Sequence, residues 1–164
     1  MKAPDKQPLR PGFTLIELLA VIAVIAILAL ISLPSMMQRI ARQQVSEALS
    51  LADIAKTPIA SAWAANQPLP ADNAAAGLPA PEKVVSNYVS RLEVETGAIH
   101  LVFGNNANGN LRGKTLTLRA AVVDHEHAVP VAWVCGRAPV PQPMTALGTN
   151  RTDLDVGYLP LNCR

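Results

Sequence analysis

From Leu18 to Leu33 the chain runs without a charged residue, almost entirely through Val, Ile, Leu and Ala. A helix from Phe13 to Leu33, rising about 1.5 Å per residue, spans roughly 30 Å, one bilayer hydrocarbon core. Pro34 follows. It removes one backbone hydrogen bond and crowds the preceding turn, which predicts a kink or local melting between Leu30 and Pro34. Beyond it the pattern changes. Met37, Ala41, Val45, Ala48, Ala52, Ala55, Ile59 and Ala62 recur every three or four positions among Gln38, Arg39, Arg42, Gln43, Gln44, Ser46 and Glu47. That amphipathic stripe predicts a helix whose apolar face packs on a sheet and whose polar face looks toward other chains. Pro58 predicts a second kink before the helix ends near Ala65.

Residues 66–83 read as loop, with Pro68, Pro70, Gly77, Pro79 and Pro81 among alanines and Asn73. The period then becomes two. Tyr88 to Glu95 places Leu92 and Val94 on one face, and Thr96-Gly97 turns the chain. Ile99, Leu101 and Phe103 alternate with His100 and Val102. Asn105 to Gly109 is a second turn cluster, in which Asn105, Asn106, Asn108 and, just beyond, Asn110 are turn formers first. Leu116, Leu118, Ala120 and Val122 alternate with Thr115, Thr117, Arg119 and Ala121, and Val131 to Cys135 reads as a fourth strand. Short successive connections favour antiparallel pairing. The expected fold is α+β, a long helix packed across an antiparallel sheet of about four strands.

Composition changes this picture in two places. Aromatic residues make up only 4% of the 164 positions, so the core is built from Val, Leu, Ile and Ala. The formal charge of +2 is concentrated before the apolar run. Residues 1–12 hold Lys2, Lys6 and Arg10 against Asp5, three of the 14 basic and one of the 12 acidic residues, so 11 of each remain beyond Gly12. A basic, proline-containing leader of this kind keeps the N-terminus on the cytoplasmic side. Pro11 disfavours helical angles at Arg10, so an extended approach to Gly12 is expected.

Glu17 is the position that packing does not explain. A charge well inside a bilayer costs about 3 kcal/mol on insertion scales and is kept where something pairs with it. A cut after Gly12 gives Phe13 a new α-amine, about one helical turn before that carboxylate. Two staggered helices then bring the amine of one to the carboxylate of the next. The stretch Gly12-Phe13-Thr14-Leu15-Ile16-Glu17 and the apolar helix after it resemble the type IV pilin N-terminus, with Gly12, Phe13 and Glu17 matching position by position. The run Ala41 to Ala48 is similar to type IVa pilins. Met36 and Arg39 depart from the tyrosines many relatives carry there. Trp133-Val134-Cys135 and the ending Tyr158 to Cys163 resemble the pilin C-terminal disulfide region.

The resemblance implies cleavage after Gly12 by prepilin peptidase, N-methylation of Phe13, and assembly into a helical filament. Glu17, Phe13 and Pro34 are then the assembly residues. The implied organisation is a leader at 1–12, a transmembrane or filament-core helix at 13–34, an amphipathic half at 35–66, a surface loop at 67–87, and the sheet with its disulfide region at 88–164. Residues 35–164 form one head. The precursor sits in the inner membrane and the assembled product is an extracellular pilus. The partners are other pilin subunits, the peptidase, the membrane and the pilus assembly machinery, with host-surface or DNA contacts as further surface roles. A minor pilin or a type II secretion pseudopilin in a short periplasmic filament is the alternative.

Cys135 and Cys163 are the only cysteines, and a pair in an exported chain reads as a disulfide. Neither Cys-x-x-Cys nor matched histidines accompany them, which argues against zinc. Asp124-His125-Glu126-His127 is expected as a solvated polar turn, with no third distant ligand for a metal. His100 is expected to face solvent opposite Ile99 and Leu101, and Trp63 and Trp133 to be core residues. Arg112, Lys114, Arg137, Arg151 and Arg164 would make a basic strip for DNA only against Asp153, Asp155 and the neutral total beyond the leader. The sequence offers no nucleophile–base constellation, phosphate loop or carboxylate pair. No cofactor and no enzymatic activity are expected.

Overall fold

The computed structural model describes residues 12–164, with the backbone alone at 32–35; the expectations for the leader at 1–11 fall outside them. The chain divides at Met37–Gln38 into two compact units. Helix α1 spans Leu15–Leu51 and contributes to both. It continues through Pro34 without a melted turn, in contrast to the local melting expected there. One missing N–H leaves the hydrogen bonds of the neighbouring turns in place, and these hold the helical backbone.

A break does occur, but at Ala52 rather than at Pro58. Ala52 donates to Leu49 O at 3.1 Å, a tighter i to i−3 bond, and helix α2 (Asp53–Ala64) starts directly after it. Pro58 then lies inside α2. The end of α2 is closed by Asn66 in the left-handed region (φ 53°). Asn66 N–H reaches Trp63 O at 3.0 Å and Gln67 N–H reaches Ala62 O at 2.9 Å, the Schellman pairing.

Within the second unit the predicted stripe is the buried one. Ala41, Val45, Ala48, Ala52, Ala55 and Ile59 are all fully buried, while Met37 is exposed and Ala62 half-buried. They pack in one core with Leu92, Val94, Ile99, Leu101, Phe103, Leu116, Leu118 and Ala120. Those residues come from three strands, β1 (Val89–Glu95), β2 (Ala98–Phe103) and β3 (Thr115–Val122), and β4 (Ala132–Cys135) completes the order β1-β2-β3-β4. All pairs are antiparallel. A short β5 (Thr145–Ala146), absent from the sequence expectation, pairs with β3 at Ala121 and Val122.

The outer face of the sheet is also covered. Residues 145–153 form a strap across it. Ala121 pairs with Ala132 of β4 and with Ala146 of β5, so β5 takes the β2 side of β3. By Thr152 and Asp153 the strap has reached the other side. Thr117 N–H donates to Thr152 Oγ1 at 3.0 Å, and Asp153 N–H to Thr115 O at 3.2 Å. Gly148 lets it cross closely. Its φ is +76°, and a Cβ there would lie 2.7 Å from Ala98 Cβ.

The free edge of β1 is closed by a side chain. Buried Asn73, from the loop after α2, donates to Leu92 O at 2.9 Å and to Pro79 O at 3.1 Å, and accepts Val94 N–H at 2.7 Å. Its amide stands in for the backbone of a missing neighbour strand and holds the loop to the sheet. Asn73→Ala is expected to cost about 2–4 kcal/mol, since each buried backbone group left unpaired costs about 1–3 kcal/mol. Denaturant unfolding of the oxidised protein measures it. A loss below about 0.5 kcal/mol, less than a single net hydrogen bond, would mean that Asn73 does not hold the edge.

Candidate assembly site

Thr14 and Glu17 close the start of α1 as a capping box. Glu17 Oε2 accepts from Thr14 N–H at 2.8 Å and from the Thr14 hydroxyl at 2.9 Å, while Glu17 N–H donates back to Thr14 Oγ1 at 3.3 Å. Thr14 is thus the N-cap and Glu17 the third helical residue, the spacing such a box requires. The negative carboxylate also sits at the positive end of the helix dipole. Oε2 takes both bonds from Thr14; Oε1 has no hydrogen-bond partner among the described residues.

Ahead of the cap, Gly12 and Phe13 lie in irregular backbone, and Phe13 is 91% exposed. A Cβ added at Gly12 meets nothing within 4 Å, and its φ needs no glycine. Nothing among the described residues therefore calls for glycine at this position. After the cap, the large apolar side chains from Leu15 to Ile31 are 50–76% exposed. The helix is apolar all round here, and none of the described residues buries it. Pro34 falls in the run whose side chains lie outside the description.

The carboxy-terminal site residues come together as expected. Cys135 at the end of β4 and Cys163 in the last 3₁₀ turn form a disulfide. Arg137 N–H donates to Cys163 O at 2.9 Å, and Arg42 Nε of α1 to Gly157 O at 2.7 Å, so bond and helix both fix the tail.

Other sequence expectations fare unequally. His100 does not face solvent. It is fully buried, because the strap lies over the outer face that alternation assigned to water. Burial holds its imidazole below the ordinary 6.5, against the hydrogen bond it makes to Glu95, which raises it. Trp133 packs against the core. Trp63 lies outside that cluster, half-buried, with its ring centroid 4.3 Å from that of His127. His127 Nδ1–H donates to Trp63 O at 2.9 Å, so this histidine pins the end of α2. Of the basic residues, Arg151 pairs with Glu93 and Glu95, Lys114 lies 3.7 Å from Asp153, and Arg112 and Arg164 reach backbone carbonyls. Asn73 and Arg151 are functional parts of the fold that periodicity did not mark. Their one signal is compositional, a polar residue amid loop alanines and an arginine within a run of polar residues (Thr149, Asn150, Thr152, Asp153).

Residues 41–164 match the family model described as Pilin (bacterial filament), and residues 10–33 match the prokaryotic N-terminal methylation motif. The chain is 36% identical over 163 residues to the type IV major pilin protein PilE of Neisseria gonorrhoeae, covering 95% of each. It is 34% identical over 166 residues to a fimbrial protein of Neisseria meningitidis serogroup A, again 95% of each. Fimbrial protein EcpC of Eikenella corrodens is 34% identical over 158 residues, 93% of this chain and 90% of that one.

Replacing Cys135 and Cys163 together by serine is expected to cost the head about 3–4 kcal/mol, the chain-entropy value for the loop they close. The 28-residue separation holds little regular structure beyond β5 and two short 3₁₀ turns, so the lost order should concentrate there. Denaturant midpoints of the paired variants measure it, and an unchanged midpoint would show that the tail is held without the bond.

Proposed function

Because this chain belongs to the type IV pilin family of bacterial filament subunits, we propose that it is cut between Gly12 and Phe13 and that Glu17 sets its axial register during assembly. The protein is a structural subunit of a type IV pilus. Its apolar helix anchors the precursor in the membrane, and the assembled product is an extracellular filament of such subunits.

The observation that carries the proposal is the Thr14–Glu17 box. It fixes the carboxylate at the helix start while occupying only one oxygen among the described residues. Cleavage before Phe13 creates an α-amine, ordinarily protonated at neutral pH since its pKa is about 7.7–8.0. Apolar packing alone cannot choose an axial offset, because Leu18 to Leu33 looks alike at many of them. An amine from a neighbouring subunit, meeting Oε1, can. In low dielectric each unpaired charge carries a large penalty, and pairing offsets much of it. Gly12 fits the same account. Glycine there serves no need of the described fold, so its role is to let a peptidase approach the backbone. Phe13 is then the residue that receives the N-methyl group.

Two variants separate the cap from the charge. Glu17→Gln retains a capping box, since glutamine serves at the third helical position, but carries no charge. Glu17→Val loses both. Both should be inserted and cleaved normally, yet yield at least tenfold fewer filaments per membrane-bound subunit. Wild-type filament yield from the glutamine variant would show that capping, not charge, is what assembly uses. A bulky residue at Gly12 should leave precursor in the membrane, and intact mass reads this directly. Mature filaments retaining residues 1–12 would reject the cleavage assignment.

A further inference from the structure

His100 and the strap form a closed circuit of hydrogen bonds that begins and ends on one residue. Arg151 N–H donates to Thr117 Oγ1 at 3.0 Å. Thr117 Oγ1 lies 2.9 Å from His100 Nδ1, and His100 Nε2 lies 2.9 Å from Glu95 Oε2. That same Oε2 meets Arg151 Nη2 at 2.6 Å, while Arg151 Nη1 reaches Glu93 Oε2 at 3.3 Å. A carboxylate accepts, so Nε2 carries the imidazole proton. Nδ1 then accepts from the Thr117 hydroxyl, whose oxygen accepts from Arg151. Every donor in the circuit has an acceptor in only one state, the neutral Nε2–H tautomer.

We propose that this circuit is an acid-operated latch: protonation of His100 releases residues 147–153 of the strap from the outer face of the sheet. A proton added at Nδ1 puts an N–H against the Thr117 hydroxyl. The hydroxyl must turn away and give up its donation to Nδ1, which opens the circuit. The new cation is also fully buried and lies on the same carboxylate as the Arg151 guanidinium. The charged groups around it come from three elements. Glu93 and Glu95 of β1 favour the imidazolium, and Arg151 of the strap opposes it. Arg119 of β3 shares the outer face two residues from Thr117, with a buried Nε that has no partner among the described residues. Proton access is not a barrier. Glu93, Glu95 and Arg151 line an open cleft of about 590 Å³ together with Asp72 of the neighbouring loop.

The sign follows from burial. The closed state holds His100 below the ordinary 6.5, whereas released histidine titrates near it. The latch is therefore fully closed above about pH 6.5 and loosens as pH falls below that value, by up to about tenfold per pH unit for one proton taken up on opening. Below it, the exposed residues Thr149, Asn150 and Arg151 no longer hold a fixed place on the surface of the head.

Hydrogen exchange of the mature chain in detergent micelles between pH 8 and pH 5, corrected for the intrinsic rate, tests this. Protection of peptides covering 147–153 should fall by up to about tenfold per unit below pH 6.5, while α2 and the central strand β2 keep theirs. His100→Gln offers an amide acceptor and donor without a titrating group, and should flatten the dependence. A flat wild-type profile, an equal loss across α2 and β2, or a slope that survives in His100→Gln would each overturn the latch. Should that variant fold poorly, Glu95→Gln serves instead. Without the negative charge the closed state disfavours the imidazolium more, so protection of 147–153 must fall between pH 8 and pH 5 at least as far as in the wild type, with the onset still near pH 6.5; a smaller fall rejects the proposal.

Discussion

The constraint on which everything else depends is an uncovered apolar helix. From Leu15 to Ile31 large hydrophobic side chains stand half or more exposed around the whole helix. Each Leu, Ile or Val is worth about 1.5–3 kcal/mol on full burial. Among the described residues nothing covers it, so the segment calls for lipid or other copies. That explains why a carboxylate at its start is informative. In a bilayer or a helix bundle, Glu17 is the one group from Phe13 to Leu33 whose position is expensive to get wrong. The Thr14 cap holds it at the start of the helix.

The second unit solves the opposite problem. It must be stable without help while leaving a helix face free. Its solution is a sheet covered on both faces by different means. The inner face receives α1 and α2 through alanines and Val45 and Ile59, small enough for close approach. The outer face receives the strap, which brings few apolar side chains and instead uses Thr117, His100, Glu95 and Arg151. Each sheet boundary is closed separately. Asn73 seals β1, and the disulfide fixes the tail to the end of β4. A polar covering is strong only while every partner is in place. A single proton on its histidine is therefore enough to unsettle it.

Much of this was legible in the sequence, for physical reasons. Period 3.6 located six buried residues, five in α1 and α2 and Ala52 between them, though it also named Met37 and Ala62, which are not buried; period two located all four main strands within a residue of their ends. Glycine and asparagine marked the turns. The strap was not legible, because irregular chain carries no periodicity and its contacts are to residues distant in sequence. His100 was misplaced for the same reason. Alternation tells which face a residue occupies, not what lies on that face. The break at Ala52 was not legible, since a tightened turn at an alanine leaves no mark in the letters, as a proline such as Pro58 does. The Glu17 motif was readable because an ionisable residue beside a long apolar run has few innocent explanations.

The central claim is a division of labour: the first unit supplies association, and the second, Gln38–Arg164, is complete without it. Sedimentation of two chains in detergent-free buffer tests this most directly, one beginning at Phe13 and the other at Gln38. The chain from Gln38 should be a soluble monomer with its Cys135–Cys163 bond formed, and the chain from Phe13 should sediment as large assemblies. A Gln38 chain that associates as strongly, or a Phe13 chain that stays monomeric, would contradict it.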